Sequence, residues 1–183
     1  MNINRRRILR ASALLAGMSA AALGPRSSRA AAERMQRRIA LLNLHTDERL
    51  EVVYFRDGAY VAEAFAALAH VLRDFRTGAQ HAIDPKLMDY LVEVAASAGV
   101  PPEFSVISGY RSPETNGRLH ERSPGVAKNS LHMQGRAIDV RLRSVDCTHL
   151  AACALDLASG GVGYYRASDF VHLDTGGYRS WRG

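Results

Sequence analysis

The 183-residue chain carries 24 Lys and Arg against 18 Asp and Glu, with 47% hydrophobic residues, 15 Gly and 6 Pro. That is a length for one domain at roughly 100–200 residues per domain, and the apolar content excludes collagen-like, mucin-like and wholly disordered chains. The formal charge of +6 suggests nucleic acid only until it is located: Arg5, Arg6, Arg7, Arg10, Arg26 and Arg29 fall in residues 1–30 with no acid, and residues 31–183 hold 18 basic and 18 acidic residues. A nucleic-acid footprint is therefore not expected.

In chain order, N-R-R-R-I-L-R precedes a short apolar run, Ala11 to Leu23, and small residues around Ser28-Arg29-Ala30. This is the layout of a cleavable export signal over residues 1–30, and the run is too short for a membrane span of about 20 apolar residues. Arg5-Arg6 followed by Arg7, Ile8 and Leu9 resembles the twin-arginine pattern, which routes folded proteins to the twin-arginine export machinery. No Cys follows the apolar run, so no lipid anchor is expected, and the protein is read as soluble, exported and periplasmic. Residues 31–38 read as a flexible leader and 39–183 as the functional domain.

Ile39–His45 and Leu50–Phe55 are apolar runs split by Thr46-Asp47-Glu48-Arg49, a hairpin pattern. Val61 to Phe75 shows helical spacing through Val61, Phe65, Leu68 and Leu72, and ends before Thr77-Gly78. Asp84-Pro85 supplies a cap and a first-turn proline for a second helix that closes at Gly99. Phe104–Ser108 reads as a strand, followed by a long loop to about Ser130 with a short helix near Glu114 to Glu121. Ala137–Leu142 is a strand, Val145–Ala158 a helix, and Gly161–Tyr165 and Phe170–Asp174 two further strands. Helices come mainly first and strands later, which predicts an α+β single domain with a small antiparallel sheet packed against helices. Cys147 and Cys153 lie in one predicted helix on different faces, which favours buried thiols over a disulfide.

Polar residues that look out of place concentrate at 108–112, 130–140 and 168–174. Strand alternation sets His172 and Asp174 on one face, opposite Val171 and Leu173. Imidazole and carboxylate groups on a sheet face are costly unless paired or metal-bound. His132, Asp139 and His172 form the two-His, one-carboxylate set of a catalytic zinc, with hydrogen-bonded strand residues as the alternative reading. Gly135 allows a tight turn between the first two, and Asp169 stands three residues before His172.

Ser130-Leu131-His132-Met133-Gln134-Gly135-Arg136-Ala137-Ile138-Asp139 is similar to the S-x-H-x-x-G-x-A-x-D signature of zinc D-Ala-D-Ala peptidases, and Asp169-Phe170-Val171-His172 supplies their second step. V-I-S-G-Y-R-S-P-x-T-N, G-V-A-x-x-S-L-H-M and G-G-V-G-Y-Y…F-V-H-L-D-T-G resemble one branch, the exported YcbK-like murein endopeptidases, over about residues 38–182.

The resemblance implies the hedgehog/D-Ala-D-Ala peptidase fold and one Zn2+ on His132, Asp139 and His172. It further implies Asp169 as general base and Arg111 as the group that polarises the scissile carbonyl or holds a substrate carboxylate. Position 170 is Phe where relatives often have His, and Asp174 is the competing base. Ser130 and Asn129 are candidates to orient the ligands, or else cap turn backbone. Tyr110, Tyr164 and Tyr165 either line a groove or pack. His-Asp-His ligation alone would also suit other divalent ions. The implied substrate is peptidoglycan, at the cross-link between stem peptides. Two other readings stand beside it: a carboxypeptidase trimming terminal D-Ala, and a non-catalytic zinc-containing binding module like the hedgehog signalling domain, since fold does not imply function.

Overall fold

The computed structural model describes residues 36–123 and 125–183. The expected export signal (1–30) and most of the expected leader (31–38) lie outside these residues. Arg37 and Arg38, assigned to that leader, instead open the first strand. Among the described residues no helix is long and apolar enough to cross a membrane.

Eight strands form one sheet: β1 (Arg37–Asn43), β2 (Arg49–Arg56), β3 (Ala59–Tyr60), β4 (Glu103–Ser108), β5 (Ala137–Leu142), β6 (Gly161–Tyr165), β7 (Phe170–Asp174) and β8 (Arg179–Arg182). Their spatial order is β3-β2-β1-β4-β5-β7-β6-β8. The sheet is mixed and eight-stranded, where a small antiparallel one was expected. β1 runs parallel to β4, and β6 parallel to β8. The first parallel pair arises because two helices separate β3 from β4, a connection long enough for a crossover. The second arises because the chain leaves β7, rounds the end of β6 and returns along its far side.

Four helices occur among the described residues: α1 (Ala62–Val71), α2 (Pro85–Ser97), α3 (Pro113–Arg122) and α4 (Cys147–Leu157). Local sequence accounts for their starts. Asp84 accepts from the Lys86 N–H ahead of Pro85, Ser112 from the Thr115 N–H ahead of Pro113, and Asp146 from the His149 N–H. α2 buries Leu87, Met88, Tyr90, Leu91, Val94 and Ala95 along one stripe, as a period of 3.6 requires.

Helices α1, α2 and α4 cover one face of the sheet. Ile39, Leu41, Phe104, Val106, Ile138, Val140, Leu142, Val171 and Leu173 meet them in a single core. Alternation then sends Asp139, His172 and Asp174 to the opposite, open face. Cys147 and Cys153 are buried on α4, six residues apart. Burial pushes the Cys147 thiol up to about 12, helped by the adjacent Asp169 carboxylate.

Candidate metal centre

His132 sits on a single 3-10 turn, Leu131–Gln134, between β4 and β5. Ser130 starts the turn by accepting from the His132 N–H at 3.3 Å, and Gly135 ends it in the left-handed region at φ 64°. A side chain at 135 would be strained by that φ and would strike the Ala82 carbonyl, so glycine is required for both reasons. The Asp84 N–H donates to Gly135 at 2.9 Å and pins the turn to the segment before α2.

Asp139 lies mid-β5, directly opposite Ser108 of β4 and His172 of β7. The β4–β5 register slips between Val106 and Ser108, beside this row. Bulges of this kind are over-represented next to active sites. The three side chains converge: His132 Nε2 is 3.1 Å from His172 Nδ1, His172 Nδ1 is 2.8 Å from Asp139 Oδ1, and His132 Nε2 is 3.2 Å from Asp139 Oδ1. A tetrahedral ion with bonds of about 2.0–2.1 Å holds its donors about 3.3 Å apart, so the triangle has to open by only a few tenths of an ångström.

The outward ring nitrogens are fixed as a metal site needs. His132 Nδ1 is 2.7 Å from the Gly109 carbonyl, which can only accept, so Nδ1 carries the proton and the Nε2 lone pair faces the triangle. His172 Nε2 is 3.0 Å from Asp174 Oδ2, which leaves Nδ1 to face inward. Among the described residues these three form the group able to hold a metal ion. All three are at least nine-tenths buried: His132 is 1%, Asp139 3% and His172 9% exposed.

Electrostatics agree with a cation-seeking centre. Burial pushes the His132 pKa down, against the opposing pull of Asp139. Burial also disfavours charge on His172, but hydrogen bonds to Asp139 and Asp174 outweigh it and raise its pKa. Burial opposes ionisation of Asp139 too, yet His132, His172 and Arg111 hold its carboxyl far below the usual range. The carboxylate is thus ionised and ready to ligate.

Arg111, the other expected catalytic residue, is brought to the triangle. Its guanidinium pairs with Asp139 and donates through Nε to Ser108 Oγ at 2.8 Å. A cavity of about 360 Å³ opens over the centre, lined by Arg111, Asn129, His132, Tyr165, Phe170 and Trp181 among others.

Asp169 is not brought there. It occupies the β6–β7 turn with φ 52°, and its carboxylate takes Arg141 Nε at 3.1 Å on the exposed surface, lining a separate groove with Cys147. Three-residue spacing from His172 does not bring this carboxylate to the triangle, because the left-handed turn at Asp169 redirects its side chain. Asp174, the competing base, is enclosed. His172, the Gly176 N–H and Arg179 occupy its oxygens, with no exposure left.

Asn129 lines the cavity, and Ser130 caps the His132 turn. Of the three tyrosines only Tyr165 lines the cavity. Tyr110 is buried and stacked on His81 at 5.0 Å, and Tyr164 bonds Thr148 at 2.9 Å.

Residues that sequence reasoning did not single out complete the site. Asp74 receives the Ser112 N–H at 2.9 Å, the Ser112 hydroxyl at 2.7 Å and the Arg76 N–H at 3.0 Å, anchoring the loop that carries Arg111. Arg179 and Trp181 come from β8, a strand of four residues whose alternation is too brief to read unaided.

A family model described as "Peptidoglycan L,D-endopeptidase MepK" matches residues 30–181. The chain is 39% identical over 179 residues to the peptidoglycan L,D-endopeptidase MepK of Escherichia coli (strain K12), covering 97% of both chains. The protein of the same name from Shigella flexneri matches equally, at 39% over 179 residues. A probable peptidoglycan L,D-endopeptidase MepK of Haemophilus influenzae is 39% identical over 142 residues, 77% of this chain and 76% of the relative.

Proposed function

The chain belongs to the peptidoglycan L,D-endopeptidase MepK family, and from that premise we propose that it hydrolyses peptide cross-links joining an L- to a D-configured centre in peptidoglycan, using one Zn2+ held by His132, Asp139 and His172. The observation that carries the reading is the buried His-Asp-His triangle opening into a cavity beside Arg111. The donor set of two imidazoles and one carboxylate fits zinc with a fourth position for water. When bound, such an ion supplies a Lewis acid and lowers the pKa of its water to about 7.

The chain's own residues do the remainder. Asp139 would hold the ion through Oδ1, the oxygen facing both imidazoles, while Arg111 takes Oδ2, so the guanidinium is held beside the place where the scissile carbonyl would sit. Developing negative charge on that oxygen is met by a cation already in position, at no reorganisation cost. Asp169 takes no step in this chemistry, since it pairs with Arg141 and lines a separate groove. Asn129 and Ser130 frame the cavity floor around His132, and Tyr165 and Phe170, stacked at 4.5 Å, form an apolar wall for substrate.

One observation favours endopeptidase over carboxypeptidase. The relatives matched over 97% of both chains are named peptidoglycan L,D-endopeptidases. The Arg-rich N-terminal segment supports export through the twin-arginine route and action in the periplasm, where this polymer lies.

Digestion of purified muropeptides by the purified protein, with zinc and with chelator, tests the reading. Cross-linked dimers should become monomers with zinc and persist with chelator. Loss of only a terminal D-Ala would move the assignment to carboxypeptidase, and stoichiometric zinc with no cleavage would make the protein a binding module.

A further inference from the structure

Strand β6 carries glycine at two alternate positions, and each stands in the middle of a row that crosses three strands. Gly161 pairs with Asp174 of β7 on one side and Arg179 of β8 on the other. Gly163 likewise pairs with His172 on one side and Trp181 on the other. Alternation puts all of these positions on the open face of the sheet. In an ordinary sheet the β6 side chain would stand between its two neighbours. Here a Cβ at 161 would lie 2.6 Å from Arg179 Nη1, and one at 163 would lie 2.6 Å from the Trp181 ring. The same holds at Gly176, where a Cβ would come within 2.8 Å of both Arg179 Nη1 and Asp174 Oδ1.

The two β8 side chains use that space to reach across β6. Arg179 grips Asp174 with both ends of its fork, Nη1 to Oδ1 at 3.0 Å and Nη2 to Oδ2 at 2.7 Å. Trp181 sets its ring 5.2 Å from the His172 imidazole, and the Arg179 guanidinium lies 5.1 Å over that indole. The indole N–H is tied to the Tyr165 hydroxyl at 3.0 Å, which fixes the ring. Asp174 in turn accepts from His172 Nε2 at 3.0 Å.

We propose that Arg179, Asp174 and Trp181 form a positioning clamp that locks His172 with Nδ1 facing the metal, and that the glycines at 161 and 163 exist to let β8 deliver it. The inference rests on the metal-centre reading above and deepens it. Nδ1 ligation needs the proton on Nε2, and Asp174 rewards that tautomer. A lone carboxylate could swing away, but the bidentate guanidinium removes its freedom. Trp181 blocks the ring from tipping out of the plane that points Nδ1 at Asp139 and His132. These are positioning residues, since none of them touches the triangle except through His172.

The test measures metal affinity separately from turnover. Wild type, Asp174→Asn, Arg179→Met, Arg179→Lys and Gly161→Ala are stripped of metal, checked for folding by circular dichroism, and titrated with Zn2+ against a chromophoric chelator. Loss of such outer partners typically weakens metal affinity about 10–100-fold. That loss is expected for Asp174→Asn, Arg179→Met and Gly161→Ala, with Arg179→Lys recovering part of it. With metal saturating, kcat should fall while KM for cross-linked muropeptides stays near wild type. Unchanged affinity in folded Asp174→Asn and Arg179→Met proteins would overturn the clamp. A raised KM with unchanged metal affinity would also overturn it, making Arg179 a substrate contact. If wild type itself binds no divalent ion, the metal-centre reading fails first and the clamp falls with it.

Discussion

Asp74→Asn probes how firmly the Arg111 loop is held. The carboxylate is 1% exposed and takes three hydrogen bonds, two from Ser112 and one from the Arg76 N–H. Burial alone would raise its pKa, but the hydrogen bonds from Ser112 and the Arg76 N–H win and bring it from 3.8 down to about 2. At about 1.4 kcal/mol per decade, that difference is worth about 2 kcal/mol of folding stability at neutral pH. Because the folded-state pKa is depressed, the contribution is complete above the unfolded value near 4 and is lost as pH falls through about 2. At pH 3 roughly half should remain. Urea unfolding of the metal-free protein and of the variant, at pH 7 and at pH 3, reads this directly. The gap should be about 2 kcal/mol at pH 7 and about 1 kcal/mol at pH 3. An equal gap at both values, or none at pH 7, would show that Asp74 does not act as an ionised anchor. Since Ser112 adjoins Arg111, cleavage of cross-linked muropeptides should also weaken in the variant at neutral pH.

Arg111→Ala should leave the fold intact and lower kcat by about 10²–10³-fold, the typical cost of one oxyanion donor; a loss under tenfold in a steady-state assay would place the oxyanion elsewhere. Asp169→Ala should cost far less than the ~10²-fold or more expected for removing a general base. Its exposed pairing with Arg141 should be worth about 1 kcal/mol or less by thermal melts, and a hundredfold drop in kcat would reinstate it as the base. Gly135→Ala should destabilise by more than the roughly 1–2 kcal/mol of a left-handed alanine, since the Ala82 carbonyl also blocks the new methyl; a variant with wild-type melting and zinc affinity would refute the argument for that turn. Chelation should lower the melting temperature as well as abolish cleavage, because bound metal stabilises only the folded state. A chelated sample that melts with the untreated protein would argue against a resident ion.

Local patterns were legible because their causes are local. The hairpin of β1 and β2, the Asp84-Pro85 helix start, the strands Ala137–Leu142, Gly161–Tyr165 and Phe170–Asp174, and the helical placement of both cysteines follow from periodicity and caps a few residues long. His132 and Asp139 share one turn-and-strand segment, so their convergence could be anticipated from spacing and from the glycine between them. Pairing decided the rest. Alternation assigns a residue to a face but says nothing of which strand will lie beside it, so the parallel pairs β1–β4 and β6–β8 could not be read. Asp169 illustrates the limit from one side: three residues from His172 in sequence, it turns away because its backbone adopts φ 52° and Arg141 waits on β5. Arg179 and Trp181 illustrate it from the other. They reach Asp174 and His172 across a strand that is not their sequence neighbour, and only the register of three strands, with glycine in the middle one, creates that contact.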